Sequence, residues 1–391
     1  MNKKIEEKIL ELYIHIPFCV RKCIYCDFLS FPAGQGETDL IRTYCRALEK
    51  EIQASGDTSW LVKSIFFGGG TPSLLEGEQM TSLMQTLRQS FRVDPEAEIS
   101  LEANPGTLDR DRLKAFHSAG FNRLSIGLQS ASDQSLALLG RIHTLDQFLK
   151  NYQEARRCGF DNINIDIMSG LPGQSLEEYK RTLDLVTDLM PEHISSYSLI
   201  VEEGTPLSRS ERLLEILPDE ESDREMYRET GRRLKKSGYR RYEISNYALP
   251  GRECRHNLGY WSGISYLGLG LGASSYLPLE DGRHCRFKNT DEMADYLACP
   301  FLPFKHRQDY AVLTREEEME EYMFLGLRKC EGVSAAAFAR SFGRTMEEIY
   351  GSQIRRYRQS GHLLLTGDRL ALTEKGIDVS DYIFRDFMLV D

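Results

Sequence analysis

The chain reads as an α/β protein: a partial (β/α)6 TIM-like barrel followed by a small C-terminal α+β domain of winged-helix-like order. Three observations predict this. Short apolar runs alternate with helical patterns between residues 12 and 200, which calls for parallel βαβ crossovers. Polar residues and glycines gather where those runs end, the edge at which such barrels bind ligands. From about Thr314 the pattern changes to three helices and a hairpin. The 391 residues exceed one small domain. They divide as a barrel over 1–245, a glycine-rich connecting segment over 246–310 and a C-terminal domain over 311–391.

Leu12 to Phe18 alternates like a strand, and Pro17 discourages its continuation, so the chain passes there into a strand-end loop. Thr38 to Ser55 is helical. Ser64 to Phe67 is a buried strand running into Gly68-Gly69-Gly70-Thr71-Pro72, and the next helix spans Glu78 to Phe91. A strand over Glu98 to Leu101 precedes Glu102 and Pro105, and Asp109 to Ala119 is helical. Strands over Arg123 to Gly127, Asn162 to Ile167 and His193 to Ile200 complete six units. Gly69 and Gly70 let backbone approach a ligand closely, although a tight turn alone uses glycine in the same way. Glu102, Gln129 and Asp166 close their strands as two acids and an amide, groups that either bind ligand hydroxyls and amines or cap the next helix.

The loop after the first strand holds Cys19, Cys23 and Cys26, spaced three residues and then two apart. Three thiolates so close converge on one soft metal centre. Four would close a zinc or cubane site; three leave one iron of a [4Fe-4S] cluster open to another chelator. A zinc site completed by His15 or by a distant cysteine is the alternative that spacing leaves open.

A net charge of −10 gives no general surface for nucleic acid or anionic membrane. The sequence has no run of about 18 apolar residues, and Met1 to Lys8 is charged with no apolar segment of the signal-peptide kind after it. A cytoplasmic protein is expected. The cysteines at 45, 158, 254, 285, 299 and 330 are scattered without a framework, as in a reducing compartment.

Cys19-Val20-Arg21-Lys22-Cys23-Ile24-Tyr25-Cys26-Asp27-Phe28 resembles the CxxxCxxC signature of the radical S-adenosylmethionine (SAM) superfamily. Over nearly the whole chain the sequence is similar to that superfamily's oxygen-independent coproporphyrinogen III oxidase-like family. The resemblance implies a [4Fe-4S] cluster on Cys19, Cys23 and Cys26. It also implies a SAM site lined by Tyr13 and Tyr25, with Gly69, Gly70 and Thr71 at the methionine amino group, Glu102, Gln129 and Asp166 as polar contacts, and Arg141 on the carboxylate. A planar guanidinium suits a carboxylate. The reduced cluster would pass an electron to the sulfonium and release a 5′-deoxyadenosyl radical.

Departures from the oxidases bear on function. The oxidases carry a further cysteine two residues after the third, where this chain has Phe28, and a longer arm than the twelve residues before Tyr13. CxxxCxYCDF resembles the haem chaperone (HemW type) of this family. His256-Asn257-Leu258-Gly259-Tyr260-Trp261 resembles that group's HNxxYW motif, implying haem on His256, with Tyr260 and Trp261 as flat apolar surface. Cys254 and the Cys299-Pro300 pair are weaker haem candidates. Gly268-Leu269-Gly270-Leu271-Gly272 is not a dinucleotide fingerprint and reads as a glycine-rich strand or turn against the barrel.

In the C-terminal part, Glu316 to Arg328, Ser334 to Phe342 and Met346 to Gln359 read as helices, with a hairpin around Gly367-Asp368. Winged-helix order raises DNA binding. However, residues 310–391 carry 11 Lys and Arg against 14 Asp and Glu, without a basic face, which favours a lid or partner-docking element. The expectation is a haem chaperone carrying haem, a [4Fe-4S] cluster and SAM, handing haem to acceptor haem proteins, as a monomer or cluster-dependent dimer. The alternative is a radical SAM enzyme acting on a tetrapyrrole, although both departures weigh against coproporphyrinogen oxidation.

Overall fold

Residues 7–33, 38–300, 302, 305 and 307–389 are described by the computed structural model. Residues 1–6 of the charged stretch Met1 to Lys8 lie outside them.

Six parallel strands stand side by side in chain order: β1 (Ile9–Ile16), β2 (Leu61–Gly69), β3 (Arg92–Ala103), β4 (Arg123–Gln129), β5 (Ile163–Ser169) and β6 (His193–Ser198). They are the six expected βα units, most of them running a little further than the sequence suggested. Each is joined to the one before through a helix, and the longest helices are Thr38–Ala54 and Glu220–Lys236. The helix starts obey local chemistry: the Asp109 side chain accepts from Arg112 N, and Thr144 and Gln147 form a capping box.

Alternation along the strands sorts the two faces. Leu12, Ile14 and Ile16 on β1, Ile65 and Phe67 on β2, and Ile165 and Ile167 on β5 are fully buried in the core beneath the helices. Each such side chain contributes about 2 kcal/mol of apolar burial. The alternate residues of β1, β3, β4, β5 and β6 face the barrel interior and are mostly polar: Glu11, Tyr13 and His15; Glu98, Ser100 and Glu102; Arg123 and Ser125; Asn164 and Asp166; His193 and Ser195; β2 adds Ser64 and Phe66. These polar groups bond to one another. Asn164 Nδ2 donates to Ser125 Oγ at 2.7 Å and to Asp166 Oδ1 at 2.8 Å, and the His193 ring meets Asn164 Oδ1 at 2.6 Å.

The sheet continues past both ends of the six, to twelve strands in one open order. Beyond β6 lie Asn246–Ala248 and Arg240–Arg241; beyond β1 lies Tyr266–Leu269, parallel to it, then antiparallel Ser274–Pro278, His284–Asn289 and Arg307–Val312. The glycine-rich run therefore forms the strand beside β1 and the turn after it. A Cβ at Gly268 would stand 2.2 Å from Ser274 O, so only glycine allows the two strands this close. Buried Glu51 on the first helix locks this extension down, accepting from Gly270 N at 2.8 Å, Asn289 Nδ2 at 2.6 Å and Tyr296 OH at 2.6 Å.

The C-terminal part has its own core of Met323, Leu327, Phe338, Tyr350 and Phe387, built from helices Arg315–Arg328, Ala335–Phe342 and Met346–Gln359 and the hairpin Leu363–Thr366 with Arg369–Leu372. A short strand, Val333–Ser334, and two terminal helices, Glu374–Ile377 and Ser380–Arg385, add to the elements the sequence predicts. The domain rests on the barrel through Cys330 N, which donates to Tyr242 O at 2.9 Å, and Lys329 Nζ, which donates to Ser262 Oγ at 2.9 Å.

Candidate functional site

After β1 the backbone turns at Pro17 into the cysteine loop, which is tied down on several sides. Gly70 N donates to Ile16 O at 2.9 Å and Thr71 N to Phe18 O at 2.7 Å, binding the loop to the end of β2. Ile24 N donates to Leu139 O at 3.1 Å, and Leu207 N to Ile24 O at 2.9 Å, so two further segments hold its far side. A Cβ on Gly70 would lie 2.7 Å from Phe18 O, which is why β2 runs out into glycine.

Cys19, Cys23 and Cys26 line one cavity of about 320 Å³ at the carboxyl ends of the strands. The same cavity takes Tyr25, Gly69, Gly70, Thr71, Glu102, Gln129, Arg141 and Asp166. Residues from six separate stretches of sequence thus meet in one place. Thr71 Oγ1 donates to Cys19 Sγ at 3.4 Å and Arg141 Nη1 to Cys23 Sγ at 3.7 Å. Burial pushes the Cys26 thiol up to about 11 and raises Cys19 as well. Both ring nitrogens of His15 are engaged, with Tyr13 OH at 3.1 Å and Leu29 O at 2.9 Å, so His15 does not complete a zinc site here. Among the described residues no three His, Cys, Asp or Glu side chains converge closely enough for one metal ion. A cubane cluster makes a different demand, one thiolate for each of three irons.

The strand ends are shaped to aim side chains inward. At Gln129 the register slips against β5 and φ is +69°, a left-handed value uncommon outside glycine, and the residue lines the cavity. Arg141 Nη2 donates to Gly127 O at 2.7 Å, while its Nε is buried without a partner. An unpaired guanidinium N–H beside a cavity is suited to receive a carboxylate. Glu102 accepts from Gly69 N at 3.2 Å, and burial, then neighbouring Asp166, pushes its carboxyl up to about 8. Burial raises Asp166 as well, opposed by hydrogen bonds from Ser125 and Asn164.

Tyr13 and His256 do not join this cavity. They line a smaller one of about 180 Å³ deeper in the barrel, which shares Glu102, Ser125, Asp166 and Tyr197 with the first. His256 is 1% exposed, on the short helix Arg255–Trp261. Its Nδ1 meets Ser64 Oγ at 2.8 Å, and its Nε2 is buried without a partner. Burial lowers its imidazole to about 3 and raises Glu11, whose carboxylate oxygen is 3.8 Å away, to about 9. Both shifts run against the charged forms of this enclosed pair. Cys254 is also enclosed, its thiol on Glu98 Oε1 at 3.4 Å, and Cys299 sits half-buried after helix Met293–Ala298.

The sequence did not reveal a third cavity, of about 560 Å³, between the antiparallel extension and the C-terminal domain. Tyr260 and Trp261 line it, together with Tyr276, His284, Arg286 and Tyr322. A ladder of rings joins it to the barrel interior. His256 packs on Tyr260 at 4.6 Å, Tyr260 on Tyr266 at 4.6 Å, Tyr266 on Tyr276 at 6.0 Å and Tyr276 on His284 at 4.5 Å.

A profile of the radical SAM superfamily matches residues 13–186, and one of the HemN C-terminal domain matches residues 313–379. Lactococcus lactis heme chaperone HemW is 35% identical over 97% of both chains, and Bacillus subtilis heme chaperone HemW is 36% identical over 96% of this chain and 98% of its own. The chain belongs to the HemW haem chaperone family. Among solved structures, Escherichia coli coproporphyrinogen III oxidase (HemN), a radical SAM enzyme, aligns with TM-score 0.83 and 25% identity over 98% of this chain and 91% of that one. HemW membership accounts for the architecture from end to end: a radical SAM partial barrel and, after it, a HemN-type C-terminal domain. No helix among the described residues is long and apolar enough to cross a membrane.

Proposed function

We propose that this chain is a cytoplasmic haem chaperone, one that binds haem and passes it to acceptor haem proteins. The single observation that carries this reading is the match to heme chaperones of 35–36% identity along essentially the entire chain. Asp27-Phe28 after the third cysteine supports it, since the oxidase-like alternative is expected to carry a further cysteine there. The direct test is a haem titration of the purified, cluster-loaded chain monitored by Soret absorbance. We expect saturable one-to-one binding tighter than micromolar, and onward transfer to an apo-haem protein. No binding at micromolar haem ends the proposal.

Within it, Cys19, Cys23 and Cys26 hold a [4Fe-4S] cluster. SAM would be held by Tyr25, Gly69, Gly70, Thr71, Glu102, Gln129 and Asp166, with Arg141 suited to its carboxylate, while Tyr13 lines the adjoining inner cavity. The unpartnered Arg141 Nε and the cavity shared by all three thiols support this placement. A [4Fe-4S] cluster held there would supply reducing chemistry to a SAM sulfonium. The protein's own share is positional: Arg141 and the strand-end acids orient the ligand, and Gly127 leaves them room.

A Cβ at Gly127 would stand 2.9 Å from Gln129 Nε2 and 3.0 Å from Arg141 Nη2. Gly127→Ala pushes both side chains aside while leaving the strand intact, because its nearest contacts are the ends of flexible groups. SAM affinity, measured calorimetrically, should fall about tenfold or more, as for a lost charged hydrogen bond. Unchanged affinity would show that neither residue contacts the ligand.

A further inference from the structure

We infer that the cleft between the antiparallel extension and the C-terminal domain is the haem site, with His284 Nε2 as the axial ligand. The inference rests on the haem-chaperone reading and names the site that reading leaves open.

Haem makes three demands: room and flat apolar walls for the macrocycle, cations for its two propionates, and an imidazole for its iron. The interior cavity beside His256 offers an imidazole, the rings of Phe66 and Tyr260 and the cation Arg123, but not the room. At about 180 Å³ it is below the usual range of roughly 300–1,000 Å³ for sites that hold sizeable organic ligands, whereas the cleft, at about 560 Å³, is within it. Tyr276, Trp261 and Tyr322 line the cleft, as do the cations Arg315, Lys329 and Arg369. Arg315 and Arg369 are exposed and each already meets one carboxylate, Glu318 and Glu331 respectively, with further guanidinium N–H groups left to offer a propionate at the cleft mouth.

The ligand assignment comes from His284. Its Nδ1 lies 2.8 Å from Oε1 of buried Glu318, leaving Nε2 as the nitrogen free for the cleft that the residue lines. Glu318 is itself fixed, accepting from His284 N at 3.1 Å and from Arg315 Nη1 at 3.1 Å. Tyr276 stacks on the His284 ring with 6° between the planes. An imidazole oriented through one nitrogen by a carboxylate presents the other to a metal, the usual arrangement for a metal-bound histidine. His284 comes from the barrel's sheet and Glu318 from the first helix of the C-terminal domain, so the site forms only when the two dock. On this arrangement the HNxxYW motif serves the cleft from behind: Tyr260 and Trp261 supply wall, and His256 anchors the ring ladder from within.

The test is a haem titration of the full, cluster-loaded chain, comparing wild type, His284→Gly, Glu318→Gln and His256→Ala, with SAM binding as the check that each variant is folded. We expect His284→Gly to bind haem at least tenfold more weakly with a shifted Soret band, and added imidazole to restore the wild-type spectrum. Glu318→Gln should weaken binding by about tenfold without changing the ligand spectrum. His256→Ala should keep the wild-type band position. A wild-type spectrum in His284→Gly, or a ligand change in His256→Ala that imidazole reverses, overturns the assignment. If wild type takes up no haem, the chaperone reading itself has failed.

Discussion

Cys23→Ser leaves a folded barrel without iron–sulfur absorbance. The sulfur lines the cavity and receives Arg141 Nη1 at 3.7 Å, so what serine removes is a soft ligand rather than apolar packing. Oxygen is a poor substitute for thiolate on iron, and two remaining thiolates cannot hold a cubane that already uses one open iron. Iron content after anaerobic reconstitution should drop from about four per chain to near zero, with a thermal midpoint within a few degrees of ligand-free wild type. Cys158→Ser is the control. Cys158 sits half-exposed after helix Leu145–Arg157, far along the chain from the loop, and its loss should leave the iron unchanged. Equal iron in Cys23→Ser and wild type would mean that the cluster hangs on other ligands.

The cysteine loop and the strand-end residues were legible because their information is local. Three thiols within eight residues must share a site whatever the rest of the fold does, and a residue at the end of a parallel strand has only one edge of the sheet to occupy. The polar inner face was equally present, in Glu98-Ile99-Ser100-Leu101-Glu102 and Asn164-Ile165-Asp166-Ile167, but its polar members invite reading as isolated caps or ligands. Only when several such strands stand together does the alternation become a lining. His256 shows the limit from the other direction. A motif gives residue types one helical turn apart, here His256 and Tyr260 in contact at 4.6 Å, without saying which wall the helix faces. The cleft was invisible for a third reason. Tyr276, His284 and Glu318 are ordinary residues singly, and docking of two domains brings them together.

The second large effect is a variant that gains stability as it loses ligand. Glu102 is half-buried at the strand end, and its carboxyl is pushed up to about 8 from an ordinary value of 4.5, first by loss of solvation and then by Asp166. Between those two values the native state keeps a proton that the unfolded chain has released. Stability therefore falls as pH rises from about 4.5 and levels off above about 8. Glu102→Gln removes this slope, since the amide matches the protonated carboxyl in shape and can still accept from Gly69 N. The variant should equal wild type near pH 4.5 and exceed it by on the order of 1–3 kcal/mol at pH 8.5, below the ceiling of about 5 kcal/mol that the full shift carries. Urea unfolding at the two pH values measures the gap, and a gap that does not change with pH refutes the assignment. SAM affinity should move the other way, falling at least tenfold at pH 8.5, where wild type offers a carboxylate and the variant a neutral amide. A group that only packed would lose stability on replacement, whereas one kept half-buried against its own solvation to meet a cation gains it.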